Sequence, residues 1–468
     1  MNSKKGKACY LHSCMLPFSI GLLLQFLSYP VWAQASHVFG FDSASRGMAG
    51  ARTAIPGGPG DLYYNPANLV WVDSPELSVQ FGYQKLSTRQ DLETSDAYGG
   101  TLSLPKEGLS KTEHVMGVLG IGLLLPLDSL IENEYLKTRM SIGMFAEIPT
   151  HTVIHQRIPY EDTPMFFMFE PPERTLLYLG GAVSPVPWLS LGAGLIVSFA
   201  FDVGVDIGVD TSFLLGDKDA SLPEEAVDVS SYTFVTPTAG MTIDIVPGFK
   251  LGFSFRGKIV DKMHLVQLIS TKGYFEENIK MIFDRSLLVQ PDQLSAGISY
   301  DFGKGLVAAA DLTWFRWDDY RNPAGKWTIL RETPGANVTI NDVKASQAPE
   351  FKSTFSPALG IEWKPSDSVR IRTGYRFSPT PAPDQGRNAR ITNLLDSDRH
   401  MFTMGATLVT GPGDENGWRY SLDLFLQYSW MEAGRYEKSE KAVVASRIRA
   451  ATFSAHMLAF GGGMTVAF

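Results

Sequence analysis

Past residue 35 the chain has no cysteine; its only two, Cys9 and Cys14, lie near the N-terminus. That excludes disulfides, thiolate metal sites and a cysteine nucleophile from everything downstream. Basic residues are in the minority, 41 Lys and Arg against 49 Asp and Glu, for a net charge of −8. Nucleic acid, which needs a basic patch, is therefore not an expected partner. No segment carries the periodicity of a long amphipathic helix. A Gly-x-Ser-x-Gly elbow is missing too, and Gly57-Gly58-Pro59-Gly60 lacks the strand, helix and spacing of a phosphate cradle. Past Phe41 the longest uncharged stretch, Thr175 to Phe201, is divided by Pro185 and Pro187. Its two halves alternate, so it reads as a tight hairpin and not as a membrane helix.

What the chain does have begins with Lys4, Lys5 and Lys7, an apolar run from Met15 to Leu27, and Ala33-Gln34-Ala35. This order predicts a secretory signal peptide over 1–35, cleaved after Ala35. Removing its three lysines takes the net charge from −8 to −11.

Between Trp418 and Trp430 the residues alternate with a period of two. Trp418, Tyr420, Leu422, Leu424, Leu426, Tyr428 and Trp430 share one face, and Arg419, Ser421, Asp423, Phe425, Gln427 and Ser429 the other. A strand of this length at roughly 3.3 Å per residue, tilted near 45°, projects to about 28 Å. That matches the hydrocarbon thickness, with aromatics at both interfaces. Fourteen such strands are predicted, near 76–87, 113–126, 137–148, 174–185, 188–206, 231–245, 249–263, 288–302, 305–319, 353–365, 368–378, 399–411, 417–431 and 452–468. Their connections alternate short and long. The expected fold is all-β, a transmembrane antiparallel barrel over 76–468, with short periplasmic turns, long outer loops and both termini periplasmic. Phe468 closes a last strand whose apolar face carries Leu458, Phe460, Gly462, Met464 and Val466, resembling the signal read by the outer-membrane assembly machinery.

The stretch 36–75 is rich in Gly, Ala and Pro and holds no clear strand. It contains Arg46-Gly47-Met48-Ala49-Gly50-Ala51 and Asp61-Leu62-Tyr63-Tyr64-Asn65-Pro66-Ala67. Further on come Ser378-Pro379-Thr380-Pro381-Ala382-Pro383-Asp384 and Asp396-Ser397-Asp398-Arg399-His400. These resemble the N-terminal Asn-Pro-Ala hatch and the Pro-x-Pro-Asp loop of the FadL/TodX family of outer-membrane transporters for long-chain fatty acids and other hydrophobic compounds. The resemblance implies a barrel plugged by 36–75, with Gly47, Gly50, Asn65, Pro66 and Ala67 in the hatch and Pro381, Pro383, Asp384 and Asp398 in the family loop. It also implies capture by outer loops, an inner site, and release when the hatch shifts.

Several residues carry two readings. Asn65-Pro66 is a common turn starter, and the turn is compatible with a gate. Met165-Phe166-Phe167-Met168-Phe169, set between prolines in the loop 149–173, either captures apolar ligand or seals the barrel top. Arg370, Arg372 and Arg376 face the lumen on the strand 368–378. They and Arg399 either pair with carboxylates such as Asp311 and Asp423, or meet a ligand carboxylate. His151 and His155 lack the further ligands of a metal site, so no metal or cofactor is expected. The expected function is passive uptake of hydrophobic molecules by a monomer lying among outer-membrane lipids and lipopolysaccharide. A general porin, a structural surface barrel and an outer-membrane hydrolase are the alternatives.

Overall fold

The computed structural model describes residues 41–94, 111–127, 139–150, 164–166, 175–210, 224–272, 277–319, 326–333, 336–338, 350–383, 393–410, 417–438 and 448–468. The leader lies outside them.

Fourteen wall strands close into one antiparallel barrel. In chain order the strands are β1 (Glu76–Thr94), β2 (Lys111–Pro126), β3 (Arg139–Pro149), β4 (Pro164–Phe166), β5 (Leu176–Val186), β6 (Leu189–Asp210) and β7 (Glu224–Val246). They continue as β8 (Phe249–Arg256), β9 (Ile259–Lys272), β10 (Glu277–Gln290), β11 (Gln293–Asp301), β12 (Leu306–Phe315), β13 (Lys326–Thr333) and β14 (Ala336–Val338). The last are β15 (Thr354–Ser366), β16 (Val369–Ser378), β17 (Asn393–Leu395), β18 (Arg399–Val409), β19 (Arg419–Glu437) and β20 (Ile448–Ala467). Strands β8 and β9 form one wall strand interrupted at Gly257-Lys258, and β10 and β11 another, interrupted at Pro291-Asp292. The short strands β4, β13, β14 and β17 belong to the long connections. The ring closes where Glu76 of β1 faces Ala467 of β20, with the Phe468 amide donating to the Pro75 carbonyl.

The alternation on β19 divides as its sequence implies. Leu422, Leu424, Leu426 and Tyr428 are 44–50 % exposed on the outside, whereas Phe425, Gln427 and Ser429 are buried inside. The observed strands outrun the expected ones at the ends away from the short turns: β6 has 22 residues, β7 has 23 and β19 has 19. Beyond the bilayer both faces of a strand can be wet, so inter-strand hydrogen bonds continue after the apolar alternation has stopped. The stretch 175–201 is the expected hairpin, turning at Pro187-Trp188 between β5 and β6. Among the described residues no helix is long and apolar enough to cross a membrane, which says nothing about strands.

Residues 41–72 run inside the ring as two one-turn helices, Ser43–Arg46 and Asp61–Tyr64, and a 3-10 turn, Pro66–Trp71. Their apolar core, Phe41, Leu62 and Tyr63, packs on Phe145 of β3 and Tyr178 of β5. A second apolar cluster fills the lumen nearer the long connections, with Phe315, Trp317, Phe351, Leu395, Phe453 and Met457 among its members.

Candidate functional site

The inner wall is shaped to receive the N-terminal segment. Several pairs of lumen-facing glycines lie directly opposite each other across neighbouring strands, among them Gly192 with Gly240, Gly252 with Gly297, and Gly360 with Gly374. A side chain at Gly192 would overlap Pro66 and Ala67, and one at Gly240 would overlap Asn65 Oδ1. Additions at Gly252 and Gly374 would likewise strike the backbones of Thr53 and Met48. Backbone meets backbone at these places, so glycine is required for close approach. Sequence reading missed all six. Their signal is a mid-strand glycine on the lumen side, which becomes meaningful only once strand register is known.

Polar groups lock the segment onto these flat areas. Asn65, fully buried, donates from Nδ2 to the Thr53 carbonyl at 2.7 Å and to Thr242 Oγ1 at 2.9 Å, while its Oδ1 accepts the Ala67 amide at 3.1 Å. It therefore caps the 3-10 turn and ties it to β7 at once, as the turn reading of Asn65-Pro66 expects. Asp311 Oδ2 accepts the amides of Arg52 and Thr53, each at 2.9 Å. Gly47 presses on Gly405, and its carbonyl accepts from Thr403 Oγ1 at 2.9 Å. Arg46 pairs with Glu147 at 2.7 Å and sits 5.0 Å over the Phe425 ring.

Between segment and wall lies a small cavity of about 20 Å³, lined by Gly50, Tyr63, Tyr64, Arg256, Gln293 and Arg376, with Phe315 and Met401 on its apolar side. That is room for roughly one water. Arg376 donates from Nε to the Ala49 carbonyl at 2.9 Å and from Nη2 to the Gly50 carbonyl at 3.3 Å. Ala49 and Gly50 both have positive φ, 53° and 70°, so the chain is twisted into a left-handed turn where the guanidinium grips it. Arg256 donates to Gln293 Oε1 at 2.6 Å and to the Tyr63 carbonyl, and lies 3.5 Å over the Tyr63 ring. Among the described residues its buried Nε has no hydrogen-bond partner, nor has Gln293 Nε2. Among the described residues neither arginine has a carboxylate within salt-bridge distance. Two buried positive charges thus rest on neutral carbonyls, an arrangement that an arriving anion would improve.

The other expected residues divide by environment. Arg372 is committed to Glu362 at 2.7 Å and to Asp423 at 3.2 Å. This is the charge-network role for Arg372, although Asp311, also expected in such a network, binds the N-terminal segment instead. Arg399 is buried, with the carboxylates of Asp396 and Asp398 acting on its charge. Arg370 is partly buried. In the family loop the Pro381 carbonyl accepts the Lys352 amide at 3.0 Å, and Asp398 Oδ1 accepts the Thr380 amide at 2.8 Å. Pro383 is partly buried, and Asp384 lies outside the described residues. Strand β4 pairs in parallel with β17, Met165 opposite Leu394 and Phe166 opposite Leu395. The proposed capture segment therefore touches the family loop through its backbone, while Phe167, Met168 and Phe169 lie outside the described residues. Arg256 was not expected at the site. It sits on the lumen face one residue before Gly257, where the wall strand breaks.

Residues 217–468, more than half the chain, match the family model for outer membrane transport proteins of the OMPP1/FadL/TodX type. The chain belongs to this family. It is an outer-membrane β-barrel of a transporter family for hydrophobic compounds. Among solved structures, a Pseudomonas aeruginosa FadL homologue is 14% identical with a TM-score of 0.56, over 93% of this chain and 99% of that one. The P. putida toluene transporter TodX is 12% identical with a TM-score of 0.50, over 92% and 99%. At such identities the likeness concerns fold alone. No curated protein matches the chain.

In this family member the buried segment is also titratable. Asp61 accepts the Gly57 and Gly58 amides at 2.7 and 3.3 Å, and its Oδ1 lies 3.9 Å from Arg52 Nη2. Burial pushes the Asp61 carboxyl up to about 7, against the pull of Arg52. Burial also raises Asp42. An unfolded Asp titrates near about 3.9, so between that value and neutrality the packed segment holds a proton that a released one has lost. The associated stability is complete below the unfolded value and is lost as pH rises through about 7. Amides of 41–72 should therefore show higher protection from deuterium exchange at acid than at alkaline pH, after correction for intrinsic rates, and Asp61→Asn should flatten the difference. Equal protection at both ends in the wild type would contradict this.

Proposed function

We propose that the protein takes up hydrophobic molecules passively and selectively, and that its ligand is a carboxylated amphiphile such as a long-chain fatty acid. The observation that carries this reading is the cavity between segment and wall. Arg256 and Arg376, neither within salt-bridge distance of a described carboxylate, supply two positive charges there, and Phe315 connects the cavity to the apolar cluster containing Trp317, Phe453 and Met457. An amphiphile would place its carboxylate on the guanidiniums and its chain in that cluster. A neutral aromatic hydrocarbon has no use for the charges.

The cavity is too small for a carboxylate as it stands, so the ligand must displace part of 41–72, which acts as the hatch. Asn65, Pro66, Ala67, Gly47 and Gly50 would form its gate. The long connections face outward, both termini face the periplasm, residues 1–35 are removed on export, and Phe468 serves the assembly machinery. The barrel works as a monomer among outer-membrane lipids and lipopolysaccharide, without catalysis. A lumen filled by the hatch and two apolar clusters argues against an open porin.

The deciding experiment compares uptake of radiolabelled oleate and toluene by cells lacking their own transporter. Oleate uptake with little toluene uptake is the expected result. Toluene uptake alone would move the substrate to neutral aromatics, and large steady ion conductance with neither taken up would favour a porin. Capture is tested separately. Phe166→Ser with Phe167→Ser should lower oleate uptake severalfold, because each ligand methylene left unburied forfeits roughly 0.8 kcal/mol. Assembly of the barrel should be unaffected, and unchanged uptake would remove the capture role.

A further inference from the structure

The lipid-facing wall carries a groove that uptake through the lumen does not use. It measures about 620 Å³ and crosses β7, β8, β11, β12 and β15. That is the size of a ligand cleft, roughly 300–1,000 Å³. Ala239 and Ala296 form its floor, and Phe253, Phe255, Leu312 and Trp314 its sides. The floor is closed: β11 pairs without interruption with β8 from Gln293 to Tyr300 and with β12 from Gln293 to Asp301. The groove is therefore a depression in the wall rather than a way through it.

Two residues beyond Leu294, Trp314 and Phe355 on the same outward face come Asp292, Arg316 and Ser353. Here the wall turns polar. Arg316 lies 3.2 Å from Asp292 and 3.6 Å from Asp319, Lys258 lies 2.5 Å from Asp319, and Ser353 donates to Asp318 at 2.7 Å. The side chains of Lys258 and Arg316 are 51 % and 43 % exposed. Such half-exposed pairs contribute little to stability, and their spare N–H donors stay open to a phosphate. The polar end points toward the long connections, so with those outward it stands in the headgroup layer of the outer leaflet and the groove in the hydrocarbon below it.

We propose that this groove and its polar end form a binding site for one phosphorylated glycolipid of the outer leaflet, that is, lipopolysaccharide. An acyl chain lies over Ala239 and Ala296 between the aromatic sides, a phosphate meets Arg316 and Lys258, and Asp318, Asp319 and Ser353 meet sugar hydroxyls. Surrounding lipid gains nothing extra from a smooth wall, but a depression offers a chain more contacts than its neighbours do. The mixed charges suit a headgroup carrying both phosphates and hydroxyls.

The test is the lipid that stays with the full-length protein after detergent extraction from outer membranes and extensive washing, measured by native mass spectrometry. Ala296→Trp fills the groove. Ala406→Trp, on the outward face of β18 two strands beyond β15 and away from the groove, is the control for a bulky lipid-facing residue. Heat-modifiable gel migration checks that each barrel is closed. The wild type and Ala406→Trp should retain about one glycolipid per chain, and Ala296→Trp at least fivefold less, equivalent to about 1 kcal/mol. Arg316→Ala with Lys258→Ala should also lower retention, with oleate uptake unchanged. Equal retention in wild type and Ala296→Trp, or a phospholipid held in place of the glycolipid, would overturn the proposal.

Discussion

Methionine at both Arg256 and Arg376 is expected to weaken oleate binding a hundredfold or more while toluene passes at least as well as before. The size follows from the chemistry of the site. A hydrogen bond between charged groups contributes about 1.5–3 kcal/mol, and the pair supplies at least two of them to a carboxylate. Two such bonds lost correspond to at least about 3 kcal/mol, or two orders of magnitude in affinity. Methionine keeps much of the apolar stem, so packing against Tyr63 and the hatch changes less than the charge does. The neutral ligand should gain from the same change. Arg376 holds the Ala49 and Gly50 carbonyls, and its loss should loosen the part of 41–72 that the proposed uptake displaces. Arg376→Lys should retain part of the oleate affinity, since it restores a charge without the planar fork. Calorimetric titration of the purified barrel with oleate, beside toluene uptake by cells, gives both readings. Unchanged oleate affinity in the double variant would remove the carboxylate from the proposed mechanism.

The wall was legible in the sequence because lipid imposes a one-sided rule. Leu422, Leu424 and Leu426 must be apolar, and Asp423 and Gln427 between them cannot face hydrocarbon, so alternation survives as a plain signal. Arg372 was legible on the same ground, and its carboxylate Asp423 was named among the candidate partners. The lumen obeys no such rule here. Phe453, Ala455, Met457 and Ala459 on β20 face inward and are apolar, while Thr452, Ser454 and His456 face outward, so over that part of the strand the lipid rule reads in reverse and the sequence cannot say which side holds a binding path. The glycine pairs under Asn65, Thr53 and Met48 are invisible for another reason. Each glycine looks ordinary alone, and only the register sets Gly192 against Gly240. Arg256 escaped notice because 249–263 reads as one continuous strand, whereas the break after it turns the wall at the cavity. Asp311 shows the limit of charge counting. It was offered as a partner for arginine, yet it accepts backbone amides from a segment more than 250 residues earlier.

Asn65→Ala should open the hatch without any ligand. The amide group satisfies the Thr53 carbonyl and Thr242 hydroxyl and caps the turn at Ala67, all in a fully buried place. Removing it takes one partner from each, leaving the Thr53 carbonyl only the 3.4 Å bond from Asn68, Thr242 Oγ1 only its 2.7 Å bond to Asn68, and the Ala67 amide without its cap, at about 1–3 kcal/mol for an unpaired buried group. Hatch amides should then exchange tens of times faster than in the wild type, since about 2 kcal/mol corresponds to some thirtyfold in an opening equilibrium. Planar-bilayer recordings should show brief conducting events that the wild type lacks. Gly240→Val approaches the same contact from the wall, because its new side chain would overlap Asn65 Oδ1 while every polar group remains in the chain. If the hatch is held by its fit to the glycine pair as well as by hydrogen bonds, the two variants should give the same conductance and the same exchange pattern over 41–72. If Gly240→Val exchanges like the wild type, the flat areas of the wall do not determine how the hatch sits. If Asn65→Ala also stays closed, the hatch is held elsewhere, and the ties at Asp311 and Arg376 become the place to look for the gate.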